Sequence, residues 1–218
     1  MSMEQRPAAK GHLVPRVVIG VFGNKQHGKD TVASIIVSVS QQAKFRARKF
    51  ALADPLKRVA MDLLGMPREV AFGSDDNIEE RERLRLEWTA YGKNGRQWLQ
   101  WIGTELGREQ IDRDLWLDRA VDTIISDDQG TQVFAISDCR FHNERVKLRE
   151  KLEGRYIPFL TLRVKRPDQP VDLSHASEAE VASMPDDVFD GVIVNDGDLD
   201  KLRAAVMNFL VNLTTLAR

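Results

Sequence analysis

The chain reads as an α/β protein with a mainly parallel sheet and helices on both faces. Three observations predict this. Short apolar, β-branched runs recur at Val17–Phe22, Val133–Ser137, Phe159–Val164 and Val188–Val194, each about the length of one buried strand. Segments with apolar residues at helical spacing lie between them. Strand and helix therefore alternate, an order that produces a parallel sheet wrapped by its own crossovers. Ligands of such sheets sit beyond the carboxyl ends of the strands. Residues that follow strand ends are thus the first place to look for chemistry.

The elements follow in order. Residues 1–15 are polar, with Pro, Gly and Lys but no apolar signal core, and read as a loose tail. Val17–Phe22 is the first strand and ends at Gly23; VASIIVSVSQQ (32–42) continues as a helix. Arg46–Ala51 alternates as a modest second strand. Asp54 is placed to cap the next helix, Pro55 fits its first turn and Gly65 stops it. Pro67–Tyr91 is the least regular stretch. Its acidic turn SDDNIEE and the charged RERLRLEW fit either a solvated surface helix or a mobile insert over a site. Gly95–Asp127 reads as two helices, GRQWLQWIGTELGREQ and DRDLWLDRAVDTIIS. Val133–Ser137 is a strand ending at Asp138. His142–Glu153 is a charged helix closed by Gly154. After the strands at 159–164 and 188–194, the turn Asn195–Asp198 opens a long amphipathic helix. The expected organisation is one domain over 16–218 with a helical insert at about 66–127.

The totals narrow the class. A chain of 218 residues with 42% hydrophobic and 30% charged residues can bury a core without staples. A net charge of −1 argues against a nucleic-acid polymer as the main partner. Cys139 is the one cysteine, which excludes an internal disulfide framework and a cysteine-based zinc site and fits a reducing compartment. No apolar stretch approaches membrane-spanning length, so no membrane partner and a cytoplasmic location are expected.

The chemistry centres on Gly23–Thr31. A strand, a turn bounded by Gly23 and Gly28, then Lys29 and a helix start form the layout of a phosphate-binding P-loop. The glycines let successive N–H groups face phosphate oxygens, and the helix adds its positive end. Asp30 stands where the usual pattern has Ser or Thr, and Thr31 follows. An ordinary strand–turn–helix connection with two glycines is the competing explanation. Asp138, at a strand tip, could hold Mg²⁺ directly or through water, or cap the helix starting near His142. Arg140, Arg163 and Arg166 lie near strand ends, where guanidinium forks can stabilise a moving phosphoryl group. His27 and His175 fit turn or cap positions. The four tryptophans fit core or inter-helix packing, with stacking on a base as the alternative. Ser177-Glu178 reads as a helix start rather than a catalytic pair.

Motifs spread along the chain carry a further signal: GNKQHGKDT (23–31), ALADPLKRV (51–59), RQWLQWIGTELGREQIDRDLWLD (96–118), SDCRFHNE (137–144), VKRP (164–167), SHASE (174–178) and VIVNDGDLDKL (192–202). In their order and combination the chain resembles the deoxynucleoside monophosphate kinases of bacteriophages, within the P-loop nucleotide kinase superfamily. That resemblance implies a three-layer P-loop kinase fold with a helical substrate-binding or lid insert. The implied reaction is transfer of the γ-phosphoryl of ATP, with Mg²⁺, to a nucleoside or deoxynucleoside monophosphate. By the same likeness Gly23, Lys25, Gln26, Gly28, Lys29, Asp30, Thr31 and Arg166 would bind ATP phosphates. Lys29, Asp138 and Arg140 would be catalytic, and Asp138, with Asp30 through water, would order the metal. Asp54, Lys57, Arg96, Gln100, Gly103, Thr104, Arg108, Asp112, Trp116, Arg140 and Glu144 would form the acceptor side. A homodimer acting in the cytoplasm, that of a host cell for a phage protein, is also implied. The segment 67–91 does not match in detail, which leaves base preference open. Two other readings compete. One is a P-loop kinase with a hydroxyl acceptor, resembling dephospho-coenzyme A kinase. The other is a nucleotide-binding module without turnover, against which Arg96, Arg108 and Arg140 speak.

Overall fold

A computed structural model describes residues 16–73, 77–171, 173 and 176–216. The tail expected over 1–15, part of the acidic turn (74–76) and His175 lie outside the described residues.

Val17–Phe22 (β1) is the centre of a five-stranded sheet. Its neighbours are Val133–Cys139 (β5) and Phe159–Lys165 (β6), with Ala47–Phe50 (β2) and Gly191–Val194 (β7) at the edges, in the order β2-β5-β1-β6-β7. Every pairing in it is parallel. Period-two alternation splits β1 between two cores. Val18 and Phe22 face Leu117, Val121 and Ile124 of Leu115–Ile125 (α6), Leu148 and Leu152 of His142–Glu153 (α7), and Val181 of Ala176–Ser183 (α8). Ile19 and Val21 face Val32, Ile35 and Ile36 of Lys29–Gln42 (α1) and Leu202, Val206 and Phe209 of Leu199–Leu216 (α9). The sheet is therefore buried on both sides, which is why its strands read as nearly continuous apolar runs.

Between β2 and β5 the chain builds a helical cluster. Asp54–Leu64 (α2), Arg68–Ala71 (α3), Ile78–Glu87 (α4), the small hairpin Thr89–Ala90 (β3) and Lys93–Asn94 (β4), and Gly95–Trp101 (α5) follow one another. Their shared core contains Ala60, Met66, Val70 and Ile102, and all four tryptophans pack in or against it. Trp98 and Trp101 meet edge to face at 5.5 Å, as aromatic quadrupoles prefer. The packing explanation of the tryptophans therefore holds.

Three local expectations change. Asp54 is the first residue of α2, not its cap; Ala53 is the cap, and the Asp54 carboxylate accepts from the upstream Ala51 N–H at 3.0 Å. The single helix expected over GRQWLQWIGTELGREQ is α5 followed by a π-helix, Ile102–Ile111. Trp116 decides this: its indole donates to the Gly103 carbonyl at 2.8 Å, and a Cβ on Gly107 would lie 2.6 Å from its ring. An indole seated in the turn spreads it, and the i→i+5 pattern follows. Finally, β7 begins at Gly191 rather than Val188, after a 3₁₀ turn Asp186–Val188. The Asp190 carboxylate takes the Thr161 N–H at 2.8 Å, in place of further strand pairing.

Candidate active site

The carboxyl ends of β1, β5 and β6 meet at the turn Gly23–Gly28. Backbone conformation explains its glycines. Gly23 has φ 154° and a Cβ there would sit 2.5 Å from the Val164 carbonyl, while Gly28 has φ 96°. Gln26 also takes a positive φ of 63°. The Asn195 amide, from the turn after β7, donates to the His27 carbonyl at 3.1 Å and braces the loop from outside. Burial is the main cause that lowers the His27 pKa, so the ring is neutral at pH 7.

Lys29 is not in open solvent. It is 7% exposed and its Nζ donates to the Asn24 carbonyl at 2.7 Å. Burial, then the nearby Arg140 charge, lowers its pKa to about 8. Lys25, Gln26, Asp30 and Thr31 are exposed around the loop mouth. Of the three strand-end arginines, Arg166 is exposed and Arg140 reaches the loop through Glu178. Arg163 does neither: it is buried and donates to the Val181 and Met184 carbonyls and to Asp186, closing the carboxyl end of α8. Its role is structural, because orphan helix-end carbonyls and a carboxylate take up its donors.

Asp138 lies within β5, not beyond it. Between the pairs Gly20–Ile136 and Phe22–Cys139, β5 carries one residue more than β1. Such a bulge re-aims side chains, and the Asp138 carboxylate faces the β2–α2 turn, accepting from Leu52 N at 2.6 Å and Ala53 N at 3.1 Å. It does not cap α7. That task falls to Glu144, whose carboxylate accepts from Arg140 N at 2.8 Å and Phe141 N at 3.0 Å. Burial raises both carboxyls, Glu144 to about 7. Asp54 and Lys57 are ion-paired at 3.0 Å at the head of α2, with Lys57 also over the Phe72 ring.

On the opposite wall, Thr104, Arg108 and Asp112 are exposed on or just after the π-helix. Arg108 lies 3.7 Å from Glu144 and over the Phe141 ring, so the π-helix reaches the Arg140–Glu144 turn. Buried Trp116 is tied to that wall through its hydrogen bond to half-buried Gly103. Gln100 is exposed on α5, and Arg96 is turned toward Glu82 of α4 at 3.6 Å, away from this cluster.

The sequence reading missed two residues here. Glu178 contacts the loop and Arg140 together, and Asn195 braces the loop. Both stand inside stretches that the resemblance had marked, SHASE and VIVND, yet nothing in their local spacing shows a partner more than 150 positions away.

A profile of deoxynucleotide monophosphate kinases matches residues 77–206, well over half of the chain. The chain belongs to the deoxynucleotide monophosphate kinase family. It is also 26% identical over 182 residues to the deoxynucleoside-5'-monophosphate kinase of Escherichia phage T5, covering 62% of this chain and 72% of that one. Solved structures that resemble it include the APS kinase of Mycobacterium tuberculosis in complex with AMPPNP and APS. That likeness has a TM-score of 0.45 and 16% identity, over 90% of this chain and 99% of the other. A sugar kinase from Janibacter sp. HTCC2649 gives 0.48 and 15%, over 90% and 95%. As a member of this family the chain is a phosphotransferase that acts on nucleotides, which decides between phosphate and hydroxyl acceptors and against a module without turnover. Among the described residues no helix is long and apolar enough to cross a membrane.

Proposed function

We propose that the chain moves the γ-phosphoryl of ATP onto the α-phosphate of a deoxynucleoside monophosphate across the cleft between Gly23–Thr31 and the π-helix. The observation that carries this reading is the placement of Arg140. Its backbone is held by Glu144 and its guanidinium by Glu178, between the phosphate loop and the Arg108 wall. In the reaction an acceptor phosphate oxygen forms a bond to Pγ as the bond to the β-phosphate bridging oxygen breaks. No general base is needed, because the acceptor is already an anion. Lys29 and the loop amides neutralise the donor phosphates, and Arg140 with Arg108 draws in the acceptor. Asp54, Lys57, Gln100, Gly103, Thr104, Asp112 and Trp116 shape the acceptor wall, while Arg96 would have to leave Glu82 to reach it. Arg166 borders the donor side.

Among the described residues no group of three or more His, Cys, Asp or Glu side chains could cage a metal. Mg²⁺ bound with a nucleotide would need only one or two carboxylates from the protein. Asp138 and, through water, Asp30 are the carboxylates that would hold it, and it would supply neutralisation of the phosphate oxygens. A homodimer and a cytoplasmic setting accompany this reading. The test is a panel of the common ribo- and deoxynucleoside monophosphates with ATP and Mg²⁺, scored for ADP. Production of ADP with at least one deoxynucleoside monophosphate is expected. Arg140→Lys should already be impaired, because it keeps the charge and loses the fork. Production of ADP only with a hydroxyl acceptor sinks the proposal.

A further inference from the structure

Glu178 is a carboxylate with partners from two sides of the cleft. One oxygen accepts from Lys25 N at 2.7 Å and from the Asn24 amide at 3.0 Å, both in the phosphate loop. The other accepts from the Arg140 guanidinium at 2.9 Å. The Asn24 amide also donates to the Glu178 carbonyl at 2.8 Å. Glu178 itself is buried, with 4% of its surface exposed, while the Arg140 side chain keeps 40% of its surface in solvent at the cleft. Its helix is held along its second half. Arg163 of β6 ties down the Val181, Ala182 and Met184 carbonyls, and Glu180 accepts from His142 N at the head of α7. The Lys29 and Arg140 charges are close enough to repel one another, and Glu178 attracts both.

We propose that Glu178 is a positioning residue for phosphoryl transfer, a clasp that sets the Arg140 fork at a fixed place relative to the donor-phosphate loop. Before nucleotides arrive, its charge offsets the repulsion between Lys29 and Arg140, and its hydrogen bonds hold Arg140 beside the loop that carries Lys29. In-line transfer depends on the distance between donor and acceptor phosphates, so loosening this link is felt in turnover more than in donor binding. The inference rests on the acceptor-side reading of Arg140.

The substitution Glu178→Gln separates the two arms. Its amide oxygen can still accept from Lys25 N and Asn24, while its NH₂ turns the Arg140 contact repulsive. Glu178→Asp keeps the charge. The full chain is assayed as wild type, E178Q, E178D, R140A and R140A/E178Q. Each of dAMP, dCMP, dGMP and dTMP is varied, and Mg²⁺–ATP binding without acceptor is measured by calorimetry. E178Q should lower acceptor kcat/KM by roughly 10- to 100-fold while ATP affinity stays within about threefold, and E178D should recover part of the loss. In the R140A background E178Q should add less than about threefold, because the two residues act as a unit. Full multiplication of the two losses overturns the clasp, as does wild-type kcat/KM in E178Q or an equal fall in ATP affinity. If E178Q melts below the assay temperature, R140A/E178D beside E178D carries the same comparison. R140A with unaltered acceptor kinetics overturns the reading of Arg140 itself. An R140A that is impaired beside an additive E178Q overturns the inference alone.

Discussion

Lys29 combines two conflicting demands. The proposed reaction needs its charge, yet the residue is 7% exposed and its pKa is lowered to about 8, chiefly by burial. Lys29→Ala should therefore cost at least about 100-fold in kcat/KM, the scale of losing a principal phosphate donor. It should leave the melting temperature near pH 7 unchanged or slightly higher, since a desolvated charge is removed. Near-normal activity in that variant excludes the P-loop assignment. Phosphates placed beside Lys29 favour its charged form, so ATP binding at about pH 8.5 should take up part of a proton. Calorimetry in buffers of different ionisation enthalpy reads this directly; a binding enthalpy independent of buffer contradicts it. The sequence made Lys29 legible through its place after Gly28. It did not show the dry surroundings, because these come from Asn24, Arg140 and Glu178 converging in space.

At the scale of elements, the π-helix is the feature that periodicity misassigned. Trp98, Trp101, Ile102 and Leu106 recur at helical spacing in GRQWLQWIGTELGREQ, and a spacing of three and four residues cannot distinguish an α-turn from a wider one over a single segment. The deciding contact comes from Trp116 on the next helix, whose ring lies against Gly107 and whose N–H reaches Gly103. Gly107→Ala places a methyl 2.6 Å from that ring, an overpacking cost of about 1–3 kcal/mol. The expected result is a melting temperature lower by roughly 3–10 °C with a raised acceptor KM, because the wall carrying Thr104 and Arg108 shifts. An unchanged melting curve shows that the indole can move aside and that the glycine is not what shapes the wall. By contrast, the stop of α2 at Gly65, with its left-handed φ of 66°, was readable because C-caps are local.

For the whole molecule, two buried groups tie stability to pH in opposite senses. Glu144 has an ordinary value of 4.5 and is raised to about 7. The native state binds its proton more tightly, so the contribution is full below 4.5 and is lost as pH rises toward 7, an effect on the order of 3 kcal/mol. Lys29 runs from an ordinary 10.5 down to about 8. The unfolded chain binds that proton more tightly, so stability rises as pH climbs from 8 toward 10.5. Melting curves of wild type and Glu144→Gln from about pH 4.5 to about pH 7.5 test the first half. The wild type should lose stability relative to the variant across that interval. A constant difference shows that the Glu144 carboxylate is already ionised throughout.

What the sequence by itself determined is the part of the molecule governed by local chemistry and by periodicity. β1 with its glycine turn, the alternation of strands and helices, and the helix stop at Gly65 all follow from neighbours in the chain. The parallel sheet follows from the βαβ handedness and crossover rules. The tertiary structure decided which charged residues meet. A bulge in β5 turns Asp138 toward Leu52 and Ala53. Helix-end carbonyls take up Arg163, and α8 brings Glu178 to Arg140 and the loop. An ion pair at the mouth of a cleft leaves no periodic trace, because its partners come from separate strands and helices and their distance is set by how the layers pack. The motifs therefore pointed to the candidate site, and the packing of α8 and the π-helix on the sheet settled which side chains touch within it.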